Sequence, residues 1–256
     1  MKDIINGYVS TETHKGITTI EFFHPQSNSL PHRILNELAN EIHDAGADNE
    51  TKVIILRSGG EKAFCAGASF DELTKITDEK KGFEFFSGFA NVINAMRKCP
   101  KFIIGRIHGK CVGGGVGLAA AVDYAIAAEG AEIKLSELAI GIGPFVVGPA
   151  VERKLGLSSF SQLAIDASLW RNADWARRKG LYSELHSSIE NMDESIQRLS
   201  HQLSHSSPDA MANLKKIFWH GTEHWDQLLS QRAEISGRLV LSNFTKEAIG
   251  KFKSKA

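Results

Sequence analysis

Three consecutive glycines, Gly113-Gly114-Gly115, stand between an apolar strand-like run and an alanine-rich stretch, and they limit sharply what this chain can fold into. The run FIIGRIHG before them has the β-branched content of a strand, and residues 116–121 after them have the composition of a packed helix. A strand that turns through glycine into a helix is a building unit of α/β folds. With no side chain at three positions, another backbone or a ligand can come close to the first helical turn. The amides of that turn lack intrahelical acceptors and carry the positive end of the helix dipole. Two readings follow: tight strand–helix packing, or a seat for an anion or a developing oxyanion.

The rest of the chain extends the alternation. Residues 8–13 and 16–23 read as two short strands joined by a turn, and HPQSNSLPHR is a polar loop. Apolar Ile34, Leu38 and Ile42 recur at helical spacing in ILNELANEIHDAGAD, and KVIILRS is a buried-strand run. A glycine-containing loop, GGEKAFCAGASF, leads into a helical stretch that ends near Lys98. After about Arg198 no strand pattern appears, and DAMANLKKIFWHG, HWDQLLSQRAEISGRL and NFTKEAIGKFK read as helices. We expect an α/β core with parallel pairing over 1–195 and a helical oligomerisation region over 196–256.

A chain of 256 residues can bury a substantial core. Its 30 basic and 30 acidic residues balance, which argues against a dedicated nucleic-acid binder. Cys65, Cys99 and Cys111 match no zinc spacing and read as free thiols, and no cluster of His, Asp or Glu implies a metal. The first residues lack a signal-peptide core, and no stretch reaches the roughly 18 apolar residues of a membrane span. A cytoplasmic protein that contacts no membrane is the expectation.

A second glycine-bearing turn, Ala66-Gly67-Ala68, supplies another backbone N–H that could face the same group as the triplet. With both turns in this order, the chain resembles the crotonase family, the enoyl-CoA hydratase/isomerase superfamily. SNSL at 27–30 is similar to its N-A-L turn, EKAFCAGASFDEL at 61–73 to its A-F-x-A-G-A-D loop, and IHGKCVGGGVGLAAAVDYAIA to its G-x-x-x-G-G-G helix entry. AEIKLSELAIGIGP resembles the strand and turn that follow, ADWARRKGL the A-x-x-A-x-x-x-G-L segment, and FTKEAIGKF the closing helix.

The resemblance implies a spiral of repeated β-β-α units with a C-terminal helical region, assembled as a homotrimer or a dimer of trimers. It implies an acyl-CoA thioester as substrate, with coenzyme A part of that substrate and no separate cofactor. The oxyanion donors would be the N–H groups of Ala68 and Gly114. The thioester would run past Asn28, Ser29, Leu30, Ala66, Gly67 and Gly113, and Lys251 with Lys253 and Lys255 could meet coenzyme A phosphates or form a solvated tail.

The catalytic carboxylates depart from the pattern. Hydratases of the family carry one glutamate in G-G-G-x-E and another in Q-P-E. Here the first position is Gly117, and the second matches Glu137, with Ser136 where proline is common. Asp123 lies too far along to replace the missing group, and Glu132 falls on the other side by strand alternation. A single base suffices to move a proton between two carbons, whereas adding water benefits from a second carboxylate. Double-bond isomerisation by Glu137 is therefore the lead expectation. Hydration with one glutamate and thioester binding without turnover are the alternatives, as is a bland surface-strand role for Glu137. His108 reads as a packed histidine or a thioester neighbour. Trp170, Trp175, Trp219 and Trp225 read as core or subunit-contact residues, and Phe145 and Val146 as narrowing the acyl pocket.

Overall fold

The computed structural model describes residues 2–253, with side chains through Lys251. A hairpin, β1 (Tyr8–His14) and β2 (Ile17–Phe23), opens the chain and leads to β3 (Ser29–Leu30) and α1 (His32–Ala47). The second turn of chain comprises β4 (Val53–Ser58), β5 (Ala63–Cys65), β6 (Gly67–Ala68), α2 (Phe70–Leu73) and α3 (Glu79–Lys98). The third is β7 (Phe102–Ile107), β8 (Lys110–Val112) and α4 (Gly114–Ala121). The fourth is β9 (Tyr124–Ala128), β10 (Ile133–Lys134), a 3₁₀ turn at Glu137–Ile140, α5 (Gly148–Ile165) and α6 (Ala173–Arg178). After β11 (Glu184–His186) come α7 (Ile189–Ser204), α8 (Pro208–Phe218), α9 (Trp225–Leu239) and α10 (Asn243–Lys253).

The long strands build a six-stranded sheet ordered β1-β2-β4-β7-β9-β11, parallel except for the β1–β2 hairpin. The short strands pair separately, β10-β8-β5 in one parallel group and β3-β6 in another. The first turn gives its hairpin to the main sheet and β3 to a smaller one. Each later turn gives one strand to the main sheet and one or two to the smaller sheets before its helix, which is the β-β-α spiral expected. Alternation along the strands serves two layers. Ile54, Leu56 and Ile103 join Leu35, Leu38, Val92 and Ile93 of α1 and α3 in one core, while Val53, Ile104 and Ile126 meet Met192 and Ile196 of α7 in a second.

The helical region belongs to the same packed body. The 195/196 boundary falls inside α7, whose Met192 and Ile196 both cover the sheet. Helix α9 lies so close on α3 that a Cβ on Gly82 would sit 2.7 Å from the Gly237 carbonyl oxygen. Lys215 of α8, 2% exposed, reaches into the core, where its Nζ lies 2.8 Å from Asp123 Oδ2 and donates to the Lys101 carbonyl at 2.7 Å. Asp123 also accepts from Ile103 N–H and from Trp219 Nε1, so its carboxylate is occupied structurally. Among the described residues no helix is long and apolar enough to cross a membrane.

Candidate active site

The small sheets bring the two glycine turns together. β6 carries Gly67 and Ala68 beside β3, and β8 runs directly into α4 through Gly113. Gly113 has φ +52° and ψ −114°, a conformation open mainly to glycine, and it turns the chain into the helix within one residue. Gly67, at φ +91°, packs so closely that a Cβ there would lie 3.2 Å from the Val112 carbonyl oxygen and 3.6 Å from Gly114 N. Because Gly114 opens α4, its N–H has no acceptor within the helix.

These turns form one wall of a cavity of about 200 Å³. Ser29, Ala66, Gly67, Ala68, Gly113, Gly114 and Glu137 all line it. The other expected site residues lie elsewhere. Leu30 is fully buried in the core. Asn28 turns inward, where its amide holds the loops: Oδ1 accepts from His24 N–H, and Nδ2 donates to the Gly59 and Ala63 carbonyls at 2.9 Å. Lys251 is exposed on α10. The side chain of Lys253, and Lys255 altogether, lie outside the described residues.

Glu137 begins the 3₁₀ turn and is not on a strand, which corrects the surface-strand reading. Its carboxylate rests against Gly113, where a Cβ would lie 3.0 Å from Oε1, and Oε2 is buried with no hydrogen-bond partner. Burial pushes its pKa up from 4.5 to about 7, only partly offset by a bond from its own backbone N–H. The native state therefore binds this proton more tightly than the unfolded chain, and stability falls as pH rises from 4.5 through 7. Glu137→Gln removes that penalty. Above pH 7 the variant is expected to be more stable than the parent by about 3 kcal/mol, taking about 1.4 kcal/mol per pKa unit, with the gap closing below pH 4.5. Urea unfolding at two pH values measures it.

Gly117 faces Val147. A Cβ at Gly117 would lie 2.5 Å from Val147 Cγ1, so the room beside this position is filled. Among the described residues lining the cavity, Glu137 is the one titratable side chain. Glu132 pairs with Lys110 at 2.9 Å, away from the cavity lining.

Phe145 and Val146 line the cavity as expected, and with them come residues that the sequence reading passed over: Phe85, Phe86 and Phe89 of α3, Val147, and Ser236 of α9. The Phe89 ring lies on Gly114, where a Cβ would approach it to 2.3 Å. Four phenylalanines in GFEFFSGF were a visible signal on a helix due to follow the first glycine turn. His108 is outside the lining; both ring nitrogens are buried without partners among the described residues, and burial with nearby Arg106 and Arg57 lowers its pKa to about 4. Cys65 is fully buried and its thiol is pushed up to about 12, which leaves no thiolate at neutral pH. Trp219 and Trp225 pack edge to face in the core, and Trp170 lies under Lys110 and Lys134, each ammonium 4.6 Å from its ring centre.

Comparison with known proteins agrees with this architecture. The family described as enoyl-CoA hydratase/isomerase matches residues 12–255. A probable enoyl-CoA hydratase of Bacillus subtilis is 27% identical over 249 residues, 96% of each chain. Carnitinyl-CoA dehydratase of Salmonella enteritidis PT4 is 30% identical over 202 residues, 79% of this chain and 76% of that one. In fold, the crystal structure of enoyl-CoA hydratase from Bacillus halodurans superposes with a TM-score of 0.88 at 22% identity, over 95% of this chain and 99% of that one. The chain is an enzyme of the enoyl-CoA hydratase/isomerase family, built on its β-β-α spiral.

Proposed function

We propose that this enzyme moves a double bond in an enoyl-CoA thioester, with Glu137 as the single base and the N–H groups of Ala68 and Gly114 as the oxyanion donors. The observation that carries the reading is the lone carboxylate: Glu137 enters the cavity, and Val147 occupies the room beside Gly117. In a 3-enoyl thioester the carboxylate takes a proton from C2, and the C2–H electron pair moves into the C1–C2 bond as the carbonyl becomes an enolate. Collapse of the enolate reforms the carbonyl, moves the C1–C2 π pair into the C2–C3 bond, and carries the C3–C4 π pair to C4. C4 takes back the proton from Glu137, leaving the double bond between C2 and C3. No other reactant is consumed.

The two donors lower the enolate's energy where charge develops, and one such donor is worth about 3 kcal/mol. A base whose pKa is about 7 suits both halves of the shuttle at neutral pH, since it neither holds nor releases the proton too strongly. The apolar walls, Phe85, Phe86, Phe89, Val147 and Ile142, suit an acyl chain and keep water scarce.

The similarity to proteins named as hydratases supports hydration of 2-enoyl-CoA as a second reading. A panel of 2-enoyl- and 3-enoyl-CoA thioesters separates the two. Conversion of 3-enoyl to 2-enoyl without accumulation of 3-hydroxyacyl-CoA is the expected result. Dominant hydration would overturn it in favour of the second reading, and binding without turnover would reduce the protein to a thioester binder. Leu214, Ile217 and Phe218 leave an apolar face of α8 exposed, which supports assembly as a trimer or a dimer of trimers, measurable by sedimentation.

A further inference from the structure

We infer that Ser236 selects an acyl group carrying a hydroxyl or keto oxygen on a carbon remote from the thioester; this rests on the cavity being the acyl pocket proposed above. Ser236 is 1% exposed and lines the cavity among phenylalanine and aliphatic side chains. Its hydroxyl takes part in none of the side-chain hydrogen bonds among the described residues, although a helical serine commonly bonds back to the carbonyl four residues earlier. Nor is its oxygen one of the polar atoms closed off from the surface without a partner, so it stays open to the cavity. A hydroxyl open to an otherwise apolar wall is a donor that an oxygen on a bound acyl chain can meet.

Helices α3 and α9 run antiparallel, with Arg97 meeting Asp226 at one end and Gly82 meeting Gly237 at the other. Ser236 therefore stands by the N-terminal turns of α3, beside Phe85 and Phe86, whereas Phe89 further along α3 covers Gly114. Glu137 and the glycine turns hold the reacting end of the cavity, and Ser236 holds a separate part of its wall. The close approach allowed by Gly82 and Gly237 is what brings this residue of α9 into the wall. An unbranched hydrocarbon chain would leave the hydroxyl unmet, and an oxygen function on the distal carbons would meet it.

The test uses saturated acyl-CoA thioesters of increasing chain length, each with and without a keto group on the penultimate carbon, titrated calorimetrically into the whole enzyme. Saturated thioesters bind without reacting, so the outcome does not depend on which reaction the enzyme performs. At one chain length the wild type is expected to bind the keto thioester more tightly. In Ser236→Ala that preference should fall by about 3–10-fold, the worth of one neutral hydrogen bond, through weaker binding of the keto thioester alone. Ser236→Thr keeps the hydroxyl and should retain the preference. Equal preference in wild type and Ser236→Ala at every length overturns the role of Ser236 while leaving the acyl-CoA pocket standing. Failure of every thioester to bind overturns both.

Discussion

Glu137→Gln is expected to lower kcat/KM for 3-enoyl-CoA isomerisation by about 10²–10⁴-fold, the usual worth of a positioned general base. Glutamine keeps the size of the side chain in the 3₁₀ turn and the contact with Gly113 but cannot take the proton. Thioester affinity should therefore change little, and the loss should fall on kcat. The pH profile carries the same assignment. Burial raises the Glu137 pKa to about 7, so the basic form grows as pH rises through that value. Wild-type kcat/KM should increase from pH 5 and level off above pH 8, and the residual activity of the variant should lack this limb. A variant with wild-type kcat would remove Glu137 from the chemistry. Together with its expected gain in stability above pH 7, the substitution should make the protein more stable and less active at once, as when a carboxylate is kept dry for function.

Lys215→Met is the largest expected effect on stability, a loss of about 3–5 kcal/mol, because it leaves the Asp123 carboxylate buried beside an apolar side chain. The pair is nearly dry, with side chains 3% and 8% exposed and 2.8 Å between Nζ and Oδ2. Removing both charges is a different matter. In Asp123→Asn with Lys215→Met both charges of the pair are gone and part of the loss should be recovered. The remainder reflects Lys154, whose partly buried ammonium stays at the carbonyl of residue 123 without the carboxylate's charge. Urea unfolding of the two single variants and the double variant measures the coupling. If Lys215→Met unfolds like wild type, α8 is not anchored through this pair. The result also bears on organisation, since Lys215 and Trp219 tie the C-terminal helices to the loop between α4 and β9.

The parts of this fold legible in the sequence are those long enough to show a period. The strands at 8–13 and 16–23, the apolar spacing of Ile34, Leu38 and Ile42, and the helix over 243–253 all matched elements of the structure. Strands β3, β6 and β10 hold two residues each, too few for alternation to register, yet they are what bring the glycine turns together. Helix α5 has no apolar stripe and is interrupted at Gly156, with φ +75°, so periodicity had nothing to mark. Local pattern also gave no sign that Glu137 leaves the strand for a 3₁₀ turn, since that depends on the left-handed Gly141 closing the turn against α10. The motif carried Glu137, Ala68 and Gly114 to one cavity, whereas Ser236 arrives through a long-range helix contact that no local window contains.

The central claim, one base moving one proton, is tested most directly by the fate of that proton. A 3-enoyl-CoA carrying deuterium at C2 is turned over in ordinary water, and the 2-enoyl product is analysed by mass spectrometry and NMR for label at C4. A buried carboxylate that removes and returns the same proton should deliver a measurable fraction of the deuterium to C4, with no 3-hydroxyacyl product. Product with no label at C4, accompanied by 3-hydroxyacyl-CoA, would contradict the one-base account and point to water as the reactant.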